Sequence, residues 1–500
     1  MLTTILCIIV STLAIICVIL HFFGNRELYN KTNHFSGPLL FPLIGCTYQF
    51  IGDSEHFLKQ TTKLSCIFES PVRLAFGSHV FIATKDPQQS KTILQSSKAM
   101  DKTALYNFSK SWIGDGLVTS KQNLWRKHRR IIQPMFNKKT LQTYFSIFQQ
   151  NSLLLNKTVE SEIDGPEFDI SNHIAYITCS NICESSMGVS VKTQKEEVYK
   201  FYEISDRIFR VLFKRLLSVW YHSELLFSMS SLAKNYNNDI KNIHNFTDNV
   251  ILKRKAILQN KKEEAKAKNI TLDLLLELSD NNSLTNKQLR DHVLTLITAG
   301  TDTTSRTLAF VLQMLAQNPK VQEKVYQEIF NIYGSDDPEK NPVKYEDLQH
   351  FMYLERVIKE TMRLFSIAPF LARMITEDLE LDGKKVPKGC TAIVAVVPIH
   401  RDEKIWPDPL KFDPDRFLPE EVSKRHPCAF IPFSFGPRDC IGRAYAMLSM
   451  KVIMVTFLRK YILKKDKFTE IKDIKLKMDH LFLSCDPITV RIENRAKCII

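Results

Sequence analysis

The stretch FSFGPRDCIGR, Phe433 to Arg443, decides how the rest of this chain is read. It sets one cysteine, Cys440, in a loop with Gly436 and Gly442, with Arg438 two residues ahead and an aromatic side chain at Phe433. A cysteine in a Gly-Pro loop is by default a small buried hydrophobe. The spacing F-x-x-G-x-R-x-C-x-G, matched throughout, points to a second reading. A thiolate can hold haem iron from its proximal side and push electron density onto it, which favours O–O cleavage. On that reading the two glycines let the backbone turn tightly and approach a flat macrocycle. Phe433 shields the sulfur, and Arg438 offers a fork to a haem propionate.

Composition bounds the alternatives. A chain of 500 residues, 44% hydrophobic, can bury a large core, and length alone suggests about three ordinary domains. Eleven cysteines at irregular spacing, an odd number, do not form a disulfide framework and fit a reducing compartment. Cys179 and Cys183 lack a second pair or a His cluster and read as structural thiols rather than a zinc site. A net charge of +14 suits nucleic acid, an anionic membrane surface or an acidic protein partner. No nucleic-acid-binding motif supports the first. Basic residues cluster at Lys121 to Arg130, at Lys138 and Lys139, and from Lys253 to Lys268, the last equally well explained as a solvated helix face.

From Leu2 to Phe23 no Asp, Glu, Lys or Arg occurs, a length close to the ~20 apolar residues that span a bilayer. Residues 1–24 therefore read as an uncleaved membrane anchor. Arg26 and Lys31 follow it, which places the C-terminal bulk in the cytosol. Gly37, Pro38, Pro42 and Gly45 punctuate a linker over residues 25–45. Alternation in Val72 to Ala83 predicts a hairpin turning at Gly77 and Ser78. Further strands are expected in Leu379 to Val397, with a turn at Asp382-Gly383, and in Leu481 to Ile492 around Asp486-Pro487. Between Phe201 and Ile257 two helices flank Arg215 to Ser230, where Leu216, Trp220, Leu225, Leu226 and Phe227 call for an apolar cover.

A long helix starts at Thr285, with Gln288 completing a capping box, and runs to Asn318 before Pro319. Its middle, AGTDTT from Ala299 to Thr304, puts an acid and hydroxyls inside an apolar helix. Threonines there can bond back to the preceding turn and open a groove for dioxygen and water. Trp125 and Arg129 are four apart on one helical face, and both can donate to a carboxylate. Glu360 and Arg363 are three apart, a pair that is commonplace by itself.

Together, Phe433 to Arg443, AGTDTT, KETMRLF and FDPDRF resemble the cytochrome P-450 superfamily, the haem-thiolate monooxygenases. The wording of Gly114 to Phe136 is most similar to the family-4 group of insects and vertebrates. The resemblance covers nearly the whole chain. It implies a mainly α (α+β) fold, a helical haem domain over residues 46–500 with small β-sheets, behind the transmembrane helix. It implies haem b with Cys440 as axial ligand. Trp125, Arg129, Arg373 and Arg438 would meet the propionates, and Asp302 and Thr303 would be the acid–alcohol pair that delivers protons. Glu360, Arg363 and Arg416 would form a structural network.

The implied reaction inserts one atom of O2 into a hydrophobic substrate: a fatty acid, lipid hormone, hydrocarbon or xenobiotic. Electrons would come from NADPH through a flavoprotein reductase that carries the flavins, or from a cytochrome b-type donor. Lys127 and Arg130 would receive that partner, at the cytosolic face of the endoplasmic reticulum membrane, with lipid and a small hydrophobic substrate as the remaining partners and no nucleic acid. A haem-thiolate isomerase or dehydratase, and a non-catalytic haem protein, are the alternatives. One position departs from the pattern. Many family-4 members carry a glutamate that can form an ester to the haem where this chain has Ala299. No ester can form here by that route, and strict terminal selectivity on fatty acids does not follow.

Overall fold

The computed structural model describes residues 27–192, 195–260, 270–281, 283–479 and 481–495, together with Thr4, Ile5 and Thr12. The bulk of the expected anchor, and part of the basic run Lys253 to Lys268, lie outside the described residues. Among the described residues no helix is long and apolar enough to cross a membrane.

The helices that position the site are α1 (Ser54–Ile67), α2 (Gln122–Ile132), α3 (Ser171–Ser185), α4 (Lys195–Leu217), α5 (Ser231–Asn260), α6 (Asn286–Gln317), α7 (Met352–Leu364) and α8 (Arg443–Lys460). The start of α6 is set as its sequence implies. Thr285 Oγ1 accepts from the Gln288 N–H at 3.1 Å, and Gln288 Oε1 accepts from the Thr285 N–H at 2.9 Å. At the other end Pro319 opens a new helix, since proline is tolerated in a first turn and not in a helix interior.

Helix α6 is buried on nearly all sides and is therefore the core element, packed against α3, α5 and α7. Gly300 belongs to that packing. A Cβ there would approach Ile182 of α3 to 3.1 Å, so the glycine in AGTDTT permits a close helix crossing. On α2 the residues facing inward recur at helical spacing, Trp125, His128 and Ile132, while Arg126, Lys127 and Arg130 face solvent. Helix α8 is buried along most of its length, from Ser449 to Arg459.

Small sheets flank the helical body. Strands β1 (Val72–Phe76) and β2 (His79–Thr84) form the expected hairpin, with Phe76 opposite His79. After the short β3 (Phe168–Asp169) come β4 (Phe370–Met374), β5 (Leu379–Leu381), β6 (Lys384–Val386) and β7 (Thr391–Ala395). The main sheet runs β1-β2-β7-β4, parallel only between β2 and β7. Strands β5 and β6 turn at Asp382 and Gly383, both at positive φ. Strands β8 (Tyr461–Lys464), β9 (Leu476–Met478), β10 (Phe482–Ser484) and β11 (Thr489–Asn494) follow. The segments either side of Asp486-Pro487 are strands but not partners. β10 pairs with β9, while β11 lies between β3 and β8. The apolar alternation is local, whereas the choice of partner is made by distant chain.

The Gly-Pro segment is built into this framework. Arg73 N–H donates to Ser36 O at 2.7 Å and Cys46 N–H to Ala75 O at 2.8 Å. A Cβ on Gly37 or Gly45 would fall 2.2 Å from the Arg73 or Ala75 carbonyl. These glycines let the segment lie directly along β1.

Candidate active site

The loop before α8 carries Cys440 on a framework of backbone bonds. Cys440 N–H donates to Phe433 O at 2.9 Å, Asp439 N–H to Gly436 O at 3.0 Å, and Ser434 N–H to Ile431 O at 3.0 Å. Gly436 adopts φ 76°, and a Cβ on it would fall 2.3 Å from the Leu94 carbonyl. The protein's own backbone therefore already requires glycine at this position. Gly442 does adjoin the thiol: a Cβ there would sit 3.8 Å from Cys440 Sγ. Burial raises the Cys440 thiol above its ordinary value, opposed by the Gly442 N–H and the Arg129 and Arg443 cations. A metal ion would reverse this, because a coordinated thiol is deprotonated.

Cys440 lies deep in the molecule, yet its side chain borders open space. The same holds on α6. From Asp291 to Gln317 only Ala299 and Thr303 are exposed, and they are four apart, on one face. Ala299 and Thr303, like Cys440, thus border open space. Thr303 Oγ1 donates to the Ala299 carbonyl at 2.7 Å, and α6 continues unbroken.

Buried cations gather near the loop. Arg373, on β4 opposite Ala392, is almost fully buried; its Nη1 donates to Ala372 O at 3.1 Å. Arg438 donates through Nη2 to Ser120 O at 2.7 Å and stacks over the Trp125 ring at 4.6 Å, while its Nε and Nη1 have no partner. Lys102, which sequence reading did not single out, is held well below the usual lysine range by burial and by Arg373 and Arg438. Its Nζ lies 5.0 Å from the Tyr106 ring centroid. Among the described residues no carboxylate pairs with these three. Arg129 is held by the cysteine loop. It donates to Asp439 O at 3.0 Å and to Asp439 Oδ1 at 2.9 Å, tying α2 to the cysteine loop. Trp125 contributes a buried face under Arg438. Phe433 gives Cys440 its carbonyl, and its ring lies 5.7 Å from the Arg443 guanidinium.

Asp302 and Thr303 adjoin in sequence but, about 100° apart around the helix, face different surroundings. Asp302 is buried, with neither oxygen hydrogen-bonded; its nearest cation, Arg306, is 3.9 Å away. Arg306 donates to Asp206 of α4 at 3.1 Å. Burial pushes the Asp302 carboxyl up to about 7, with Arg306 working against that rise. A polar cleft beside α6, lined by Tyr202, Asp206, Ser305 and Arg306, reaches this cluster.

Glu360, Arg363 and Arg416 do come together. Arg363 grips Glu360 with two bonds of 2.7 and 2.8 Å and donates to His400 O and Pro409 O, while Arg416 Nε is 3.6 Å from Glu360. Burial raises Glu360, opposed first by Arg363. His400 completes the support. Its Nε2 accepts from the Ile431 N–H at 2.9 Å, so the proton sits on Nδ1, 2.6 Å from Ser366 Oγ. Beside α1, β1 and β4 a wide apolar cavity, about 1520 Å³ with its open mouth, is walled by Phe50, Phe57, Phe213, Leu216, Phe370 and Ile393.

A thiol on a loop leading into a helix, an internal space and buried unpaired cations are what a flat, dianionic, thiolate-bound cofactor requires, and they define a haem-thiolate protein class. The sequence profile of the Cytochrome P450 family matches residues 35–491, and the chain belongs to that family. It is 30% identical to Cytochrome P450 4c3 of Drosophila melanogaster over 479 residues, 92% of this chain and 89% of that protein. It is 32% identical to Cytochrome P450 4V2 of Homo sapiens over 445 residues, 86% of this chain and 84% of that one. Cytochrome P450 4c21 of Blattella germanica is 31% identical over 508 residues, 97% and 98% of the two chains. The relatives are family-4 members, and the chain is a cytochrome P450 monooxygenase of the haem-thiolate type.

Proposed function

We propose that this monooxygenase holds haem b through Cys440 and hydroxylates a long, hydrophobic molecule bound in the apolar cavity between α1, β1 and β4. The observation that carries the reading is the cation cluster Arg373, Arg438 and Lys102 beside the cysteine loop, which pairs with no carboxylate among the described residues. Uncompensated buried charge is costly, and two propionates would neutralise it. When bound, haem supplies the activation of dioxygen, for a net reaction R–H + O2 + two electrons + two protons giving R–OH and water.

The chain's own groups handle the protons and exclude bulk water. With a carboxyl near 7, Asp302 can both give and regain a proton at neutral pH. The cleft at Tyr202, Asp206 and Arg306 is its supply from solvent, and rotation of Asp302 away from Arg306 hands the proton toward Thr303 Oγ1 on the neighbouring face. Thr303 keeps its hydroxyl placed through its bond to Ala299 O.

Electrons come from an NADPH-dependent flavoprotein reductase or a cytochrome b-type donor. Arg126, Lys127, Arg130, Lys138 and Lys139 are exposed on the side where α2 meets the cysteine loop, a surface suited to an acidic partner. The body is anchored in the endoplasmic reticulum membrane by residues 1–24, facing the cytosol, with residues 46–500 as the haem domain behind the linker. A second apolar contact supports this. Arg215, buried between Phe108 and Phe227, donates to Tyr221 O at 2.8 Å and so folds the α4–α5 connection back on itself. Phe227 is thereby buried, while Trp220, Leu225, Leu226 and Met229 stay exposed. Leu39 and Phe41 are exposed nearby, across the Gly77 turn that touches Val219.

The test is spectroscopic and then chemical. The reduced full-length protein under carbon monoxide should give a thiolate-type Soret band, and reductase, NADPH and a panel of lipids and foreign compounds should give an oxygen-dependent hydroxylated product. A folded, haem-loaded protein with neither band nor product overturns the reading.

A further inference from the structure

In the wall of the apolar cavity stands a carboxylate with one oxygen that no group among the described residues answers. Asp479 opens the turn between β9 and β10, is 5% exposed and lines the cavity beside Met478. Its Oδ2 has no hydrogen-bond partner, and no ion pair reaches the side chain among the described residues. An aspartate at the start of a turn ordinarily accepts a backbone N–H two residues on. Among the described residues no such bond comes from Leu481. The other charged side chain in the wall, Lys85, already donates to the Ser65 carbonyl at 2.8 Å.

A buried carboxylate without a donor is disfavoured, and a ligand that brings the donor removes the deficit. A second carboxylate brought close would meet like charge instead. We propose that Asp479 reads the polar end of the substrate: the cavity takes a long apolar molecule whose polar end is a hydroxyl, and turns away one that ends in a free carboxylate. The inference rests on the reading of this cavity as the substrate cavity and adds the class of polar end it accepts.

Equilibrium dialysis of the full-length, haem-loaded protein against labelled 1-dodecanol and dodecanoate tests it, at about pH 8 where the acid is ionised. Wild type should hold the alcohol about tenfold more tightly, the advantage of a charge-assisted bond over like-charge approach. Asp479→Asn keeps the shape and removes the charge, and Asp479→Ala removes both the charge and the acceptor. Each should bring the two affinities within about threefold, chiefly by tightening dodecanoate. Equal affinities in wild type, or an unchanged ratio in both variants, overturns the proposal. The carbon monoxide spectrum of the same preparations separates the two readings. An intact Soret band with an unchanged ratio removes Asp479 alone, whereas an absent band strikes the haem assignment while dialysis still reports on the cavity.

Discussion

The side of the molecule behind Cys440 and the side formed by α6 treat their polar groups in opposite ways. Behind the cysteine, Glu360, Arg363, His400 and Ser366 are buried with bonds to one another or to named carbonyls and N–H groups. Along α6, Asp302 is just as buried and its carboxylate has no hydrogen bond. Satisfied buried networks rigidify, and unsatisfied ones are ready to exchange partners. On the proposed mechanism the first region keeps one atom, Cys440 Sγ, in place, and the second lets a proton move.

The hardest test of that contrast is Cys440→Ser or Cys440→His. Either should abolish the thiolate-type Soret band of the ferrous carbon monoxide complex outright; a band that survives removes Cys440 as the ligand. Next comes the network behind it. Glu360→Gln leaves the buried Arg363 short of a counter-charge, a loss on the order of 3–5 kcal/mol. Haem content and melting temperature should both fall, and unchanged values would show that this side is not the rigid one.

On the other side the same kind of change should spare structure and damage chemistry. Thr303→Ala and Asp302→Asn are expected to cut product formation on the order of 10²-fold, with haem content intact and reduced oxygen diverted to peroxide. Turnover of a hydroperoxide without reductase, indifferent to Thr303→Ala, would replace the monooxygenase mechanism by an isomerase one.

Protonation separates the two regions by sign. Burial pushes His400 down to about 3, while an unfolded histidine titrates near ~6.5. Between those values the unfolded chain binds more protons, so the stability held by neutral His400 is complete above ~6.5 and is lost as pH falls. Melting followed at the Soret band should drop more steeply with acid in wild type than in His400→Gln. Parallel curves would mean that another group governs acid loss.

What was legible in the chain was what is decided locally. The capping box at Thr285, the turns at Gly77 and Asp382, and the ends of α6 all follow from residues a few positions apart. The Glu360–Arg363 pair is local too, and only resemblance tied Arg416 to it. Signals failed where partners are far apart in sequence. Arg129 bonds Asp439, Gly436 lies against the Leu94 carbonyl, and β10 and β11 each choose a remote strand. The apolar cover that Phe227 calls for, Arg215 with Tyr221 and Tyr236, is made only when the connection folds back. Lys102 carried no signal at all, since a lysine after an aspartate reads as surface until Arg373 and Arg438 surround it.

The smallest expected effect falls where the two sides meet, at Ala299. Its methyl borders the internal space one turn before Thr303 and can form no bond to a cofactor. The only covalent tie expected is therefore Cys440 to iron, and acid–organic extraction should release the haem unmodified from the wild-type protein. Haem retained on the polypeptide would reveal an attachment on some other residue. Ala299→Glu places a carboxylate on the same exposed face, where water fills the space at little cost to folding. If that face looks onto the macrocycle, part of the haem should stay with the chain after turnover, while melting moves little. Full release from Ala299→Glu, with normal haem content, would mean that α6 presents Ala299 to the substrate side of the space instead. Thr303, four residues on and on the same face, would then have to be reassigned with it.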